Sequence, residues 1–544
     1  MSSLNPTSGT LGTKSAKHLL NRLTFGVTKQ AIDEFAPLSI SQALDLLMQV
    51  PTETLPPIDP DTNSTWVSDP TAGETEGLRK GYIKSWWLGL MHNNGHSLAE
   101  KMAYFYHTHF TTIESRVPYS KMIYWQISLF RYYALGNFKE LAKKICLDNA
   151  MMFHLDAHLN EDNRPNENFA REFLELYTIG KGEQVGDGDY TNYTEQDVRA
   201  AAQVLSGFYF DETGASIDID SNIEQGKINS SDGQVAIRHF AKEDKKFSAA
   251  FGNTIIAPPE VTNGKTTVEG VLDELDQLIE MIFAQEATAK HICRKLYRFF
   301  VYYQISEEVE NTIISGLANT MIANNYEMEP VLRQLFSSQH FFDTDNSLAE
   351  DNSRGAIIKS PLEIALGGMK YFGITLPDPQ TDAASFYEIM ENVLGMVGDQ
   401  GMNFYEPFEV AGYTSYHQAP AYNRNWITPN YLAYRYLFGE YLVFDKGTKL
   451  GLEWDTVAFI VNNVSEPGDA TLLVKTLTDT LLPEIITDER FNYFLYSKML
   501  DNFSLMDWEN EWRAYQITGN DETVRPLLET LLIGLLQSPE YQLC

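Results

Sequence analysis

The sequence predicts a mainly α protein: a large multi-helix body in two lobes, with a small β-hairpin and loop insertion. Three observations predict it. Apolar residues recur at helical spacing through most of the chain, as with Phe169, Phe173, Leu176 and Tyr177 at i, i+4, i+7 and i+8. Helix start signals stand where those patterns begin, notably Thr194-x-x-Asp197 and Ser360-Pro361-Leu362-Glu363. Short β-like runs (QVAIRHF, NTIIAP) are confined to 209–265, a stretch rich in Asp, Ser, Asn and Gly.

Taken in order, residues 1–13 are small and polar and are expected to form a loose tail. Ser15 is expected to cap a helix ending near Leu23, with Gly26 beyond it. Residues 79–109 predict a long or paired helical segment, and 119–135 a helix apolar on several sides, hence buried. In 164–180, RPNENFAREFLELYTIG, the apolar stripe is flanked by a polar one: Asn168, Arg171, Glu172 and Glu175 at i, i+3, i+4 and i+7. Asn166 can cap this helix and Gly180 can end it in a left-handed turn. Pro- and Gly-rich punctuation at 51–75 and 373–381 marks surface loops. The polar stretch 343–354 is the expected boundary between an N-terminal lobe (14–345), carrying the 209–265 insertion, and a C-terminal lobe (346–544).

The chain has 544 residues, 74 acidic against 41 basic, for a formal charge of −33, which disfavours nucleic acid and anionic membrane surfaces as partners. Cys146, Cys293 and Cys544 give neither a disulfide framework nor zinc spacing. The first residues do not read as a secretory signal. No uncharged apolar run reaches the roughly 18 residues of a membrane span, and the most apolar stretch, 526–538, is interrupted by Glu529 and Thr530. P-loop, GxGxxG, GxSxG and HExxH patterns are absent from the sequence.

Three groups of residues could carry chemistry. His107 and His109 fall where the helix from Ala99 should end. In an extended segment they would share one face and, with a carboxylate, suit zinc, iron or manganese; on a helix they point roughly 200° apart and would instead cap backbone carbonyls. Glu172 and Glu175 stand one turn apart, either as a solvated face with Glu175 paired to Arg171 and Glu172 to Asn168, or as a carboxylate pair for metal binding and proton transfer. His239 could supply a third imidazole, while Lys242, Lys245 and Lys246 after it form either a solvated cluster or an anion contact. The loops Asp156-x-His158-x-Asn160 and Asp218-x-Asp220-x-Asn222 are oxygen-rich but do not match the EF-hand pattern. The aromatic block 404–426 would pack the lobes together or stack on sugars.

Several segments resemble, in order, a bacterial family catalogued as domain of unknown function 1800. These are AKHLLNRLTFGVTK (16–29), EKMAYFYHTHFTT (100–112), 164–180 itself and YTEQDVRAAAQVLSGF (193–208). RHFAKEDKKFSAAFG (238–252), RKLYRFF (294–300), IKSPLEIALGGMKYF (358–372), MNFYEPFEVAGYTSYHQAP (402–420) and LLIGLLQSPEY (531–541) follow. The resemblance implies no established reaction. It implies an extracytoplasmic setting and a partner from a neighbouring sulfatase-like family. One segment departs from the family: its usual "HD-G-K" reads His239-Phe240-Ala241-Lys242 here, with acids only at Glu243 and Asp244.

The leading expectation is therefore a metal-dependent enzyme, hydrolase before oxidoreductase, acting on an envelope or extracellular substrate. His107, His109 and His239 would be metal ligands, Glu172, Glu175 and Arg171 catalytic groups, and Asn166, Asn168 and Lys246 substrate contacts. The competing expectation is a non-catalytic structural or assembly subunit.

Overall fold

The computed structural model describes residues 2–51, 54–69, 75–345 and 356–544. Helices dominate. The expected segment at 79–109 is a pair, Glu76–Asn93 and Ala99–His109, and the buried helix after it is Ser120–Tyr132. Both predicted capping boxes are formed, Thr194 with Asp197 and Ser360 with Glu363, the latter with Pro361 in the first turn. The first helix starts earlier than expected, at Gly12 rather than after Ser15. Residues 2–10, expected as a loose tail, are hydrogen-bonded along the far end of the N-terminal half: Ser2 N donates to Glu308 Oε1 (2.6 Å) and Thr7 N to Ser337 O (2.8 Å).

The 209–265 insertion holds loops and two minimal antiparallel pairs rather than one hairpin. Phe208–Tyr209 pairs with Lys227–Ile228, and Lys245–Lys246 with Ile255–Ile256. The run 234–240 makes only isolated bridges, because its backbone turns at Arg238 (φ 77°) just before His239. The oxygen-rich loops carry ordinary partners: Asp218 accepts from Ser221 N (3.0 Å) and pairs with Lys144.

The expected lobe boundary at 343–354 falls largely outside the described residues. Buried apolar side chains from Ala16 to Tyr541 form one continuous cluster spanning both halves. Two contacts fix the halves where the site lies. A Cβ on Gly26 (φ 137°) would stand 2.5 Å from the Cα of Gly367, so the backbones meet directly. Beside this, Lys101 of Ala99–His109 pairs with Glu363 of Pro361–Tyr371. Among the described residues no helix is long and apolar enough to cross a membrane.

Candidate functional site

The polar helix at 164–180 positions the site, though not through its carboxylates. It runs as α-helix over Asn168–Glu172, with Asn166 Oδ1 accepting from Asn168 N (2.9 Å), then widens to a π turn over Phe173–Tyr177. A π turn leaves carbonyls without their usual partners and is common at functional sites. Thr178 Oγ1 donates to Phe173 O (2.6 Å), and Gly180 N to Leu174 O (2.9 Å). Beyond Glu175, two consecutive carbonyls are taken by basic side chains from other helices. Leu176 O accepts from His291 Nε2 (3.1 Å) and Lys295 Nζ (2.8 Å), and Tyr177 O accepts from His109 Nε2 (2.9 Å). Cationic and imidazole groups at a helix C-terminus satisfy its free carbonyls and its dipole.

Gly180 makes this possible. Its φ of +72° ends the helix, and a Cβ there would stand 2.5 Å from His291 Nδ1. Gly180→Ala is expected to cost about 1–3 kcal/mol through left-handed strain and the displaced imidazole. Urea denaturation checks it; a loss below about 0.5 kcal/mol, the level of an ordinary surface change, would contradict the assignment.

Of these side chains, His109 and Lys295 face a cavity between the two halves of the chain, about 770 Å³ with the open solvent at its mouth included. Phe105, Thr108 and His109 line it from one helix, and Lys295, Arg298 and Phe299 from Glu286–Phe300. Arg22 lines it from the first helix, its Nη1 donating to Phe300 O and Val301 O (2.9 Å each). Ser415, Tyr416, His417, Tyr422, Asn423 and Trp426 close the opposite side, so the aromatic block forms a wall. This loop seats tightly: a Cβ on Gly412 would lie 2.5 Å from Thr111 Oγ1. The carboxylate lining the cavity, Glu363, is held by Lys101 and accepts from Ser360 N (2.7 Å).

Burial holds the imidazoles of His109, His291 (to about 3) and His417 below their ordinary range, and the charge of Lys295 adds to this in each. Lys295 itself is lowered to about 7, first by burial and then by the charge of Arg298. A carbonyl can only accept, so His109 carries its proton on Nε2 and Nδ1 keeps a lone pair; this tautomer follows from the partner. Several polar atoms here have no hydrogen-bond partner: His109 Nδ1, Arg298 Nε, Ser415 Oγ, His417 Nε2 and both amide atoms of Asn423. Buried polar groups are ordinarily satisfied, so a concentration of orphans in one cavity marks a place for a ligand or water.

Of the side chains singled out from the sequence, His109 lines this cavity. The helix runs through His109, so the extended His-x-His segment does not form and the two rings diverge. His107 is buried elsewhere, its ring centroid 4.1 Å from that of Tyr405 and its Nε2 3.4 Å from Tyr413 Oη, and burial lowers it to about 3. His239 is also remote: its Nε2 meets Glu274 Oε2 (2.9 Å), which Lys245 Nζ shares (2.5 Å). Among the described residues no group of three or more His, Cys, Asp and Glu is placed to hold a metal ion. The expected ligand set of His107, His109 and His239 therefore does not fit a metal.

The carboxylates of the polar helix face outward, and their pairing differs from expectation. Arg171 bonds Glu167 (3.2 Å) and, with two nitrogens, Glu195, rather than Glu175. Glu175 accepts from Tyr193 Oη (2.9 Å) and Lys181 Nζ (2.5 Å). Glu172 is half-buried, and burial followed by the charge of Glu175 raises its carboxyl. Asn168 and Lys246 are exposed on the outer surface. None of these, nor Asn166, lines the cavity.

Sequence reasoning passed over His291, Lys295 and Arg298, which stand at i, i+4 and i+7. With Arg294 they repeat in basic form the spacing that drew attention to Asn168–Glu175. A basic stripe in a chain of −33 was the available signal.

Searches of curated proteins and of solved structures returned no match. A family model described as "Protein of unknown function (DUF1800)" matches residues 18–543. The chain belongs to that family, over nearly its whole length.

Proposed function

We propose that this protein binds a small anion-bearing substrate in the cavity between its two halves, with His109 Nδ1 exchanging a proton with it. One observation carries the reading: Lys295, Arg298 and Arg22 line one cavity together with the unpartnered polar atoms of Ser415 and Asn423, in a strongly acidic chain. The Glu363 carboxylate is already held by Lys101, which leaves Lys295 and Arg298 available to an anion. Its aromatic side suits an apolar or ring-bearing remainder of the substrate. Hydrolysis, the reaction first expected, is one that a neutral imidazole base could serve by taking a proton from water. The extracytoplasmic setting rests on the family resemblance alone.

Thermal shift and calorimetry with phosphate, sulfate and small carboxylates test the proposal. An anion favours the ammonium form of Lys295 and raises it from about 7, so binding should take up protons near neutral pH and weaken as pH rises through that value. Without ligand the sign is opposite: between about 7 and the ordinary lysine value near 10.5 the unfolded chain holds more protons, so this group's contribution to stability improves with pH. Lys295→Met should abolish the proton uptake. No stabilisation beyond that of chloride at equal ionic strength would sink the reading.

The assembly reading keeps one supporting observation. Met506 (70 % exposed) and Ile517 (79 % exposed) stand in solvent on the helix Leu505–Thr518.

A further inference from the structure

We propose that Lys295 is a nucleophilic amine that captures a small anion-bearing aldehyde or ketone, such as a 2-oxo acid, as an imine. This rests on the reading of the cavity as an anion site and names the substrate class. Lys295 Nζ has a neutral hydrogen-bond partner, Leu176 O, at 2.8 Å. The groups facing it are His109 and His417 from neighbouring elements and Arg298 from its own helix, with His291 one turn before it; Glu363, across the cavity, is paired with Lys101. An amine with cations and neutral imidazoles around it sheds its proton and becomes a nucleophile.

The step balances without an oxidant or reductant. The Nζ lone pair forms a bond to the carbonyl carbon, and the carbonyl π electrons go to oxygen, which takes a proton. Nζ loses one proton to give the carbinolamine. It then gives up its second proton as the hydroxyl takes one, the C–O bond breaks so that water leaves, and the nitrogen lone pair closes the C=N bond. Amine and carbonyl thus give imine and water. His109 is placed to relay the protons, because it and Lys295 are anchored on consecutive carbonyls, Tyr177 O and Leu176 O. Arg298, with its Nε unpartnered, would hold the substrate's anionic group.

Lys17 provides an internal comparison. It too is buried and donates to backbone carbonyls, Asp479 O (2.7 Å) and Leu482 O, but it does not line this cavity. Low basicity alone would label both lysines; a built site labels Lys295.

Glyoxylate with sodium borohydride, followed by peptide mapping of the wild-type protein, tests this directly. Lys295 is expected to be reduced to the secondary amine ~10-fold or more faster than exposed lysines such as Lys475. The rate should rise with pH through about 7 and fall when phosphate competes. Arg298→Met should slow capture of glyoxylate more than that of formaldehyde, which has no anionic group. Labelling of Lys295 at the rate of Lys475 or Lys17 overturns the proposal. If that happens while phosphate still stabilises the fold, capture alone is wrong; if phosphate has no effect either, the anion site falls with it.

Discussion

Lys101→Met should destabilise the protein by about 3–5 kcal/mol, the usual consequence of removing one partner from a buried ion pair. Lys101 keeps 2 % of its side-chain surface and Glu363 16 %. The ammonium also lies 4.7 Å from the centroid of the Phe25 ring and 5.8 Å from that of Phe299, so its surroundings are desolvated. Without it, Glu363 would stand beside the cavity with no counter-charge. Adding Glu363→Gln, which can keep the cap on Pro361–Tyr371, should recover a large part of the loss, since two neutral groups no longer demand each other. Acid titration gives an independent check. Burial alone would raise the Glu363 carboxyl, but Lys101 and Ser360 together hold it below its ordinary value. A depressed carboxyl contributes stability that is present above its unfolded value, about 4.3, and is lost as pH falls through its folded value. The gap between wild type and Lys101→Met, followed by urea denaturation, should therefore narrow below pH ~4. A single variant within about 1 kcal/mol of wild type at neutral pH would mean that the pair is solvated, as surface pairs are.

Much of the fold was legible because helices announce themselves locally. The boxes at Thr194 and Ser360 depend on residues three apart, and the structure forms both. The site was legible only in part, because it is assembled from carbonyls and tertiary neighbours. Nothing local in FLELY states that Leu176 O and Tyr177 O will be left for other helices to satisfy. The polar stripe at 168–175 was correctly seen as a stripe, but Glu175 meets Tyr193 and Lys181, and Arg171 meets Glu195, all from sequence beyond the helix. His109 was identified for its nitrogen, yet its partner is a helix-end carbonyl, the alternative that the sequence left open.

The same limit explains His239, whose sequence neighbourhood lacks the acid the family usually places after it. Here Glu274, on the helix Val268–Phe283, supplies the carboxylate, and all three side chains of His239, Glu274 and Lys245 are at most 1 % exposed. Burial lowers Lys245, while Glu274 opposes that shift and keeps the charge tolerable. His239 Nδ1 meets Ser206 O (2.8 Å), so the network ties the insertion to the helix Val268–Phe283 and to the turn that follows Glu195–Val204. Glu274→Gln should therefore cost about 3–5 kcal/mol, since it leaves a buried ammonium without its counter-charge. The loss should appear first as local opening: limited proteolysis and hydrogen exchange should report segment 229–265 before the rest of the chain. Phosphate stabilisation of whatever remains folded should persist, because none of the three side chains lines the cavity. A Lys245→Met partner change should restore part of the stability by removing the stranded charge. If instead Glu274→Gln leaves the insertion as protected as in wild type but abolishes phosphate stabilisation, the network is coupled to the cavity. The division drawn between a structural histidine at 239 and a functional one at 109 would then be wrong.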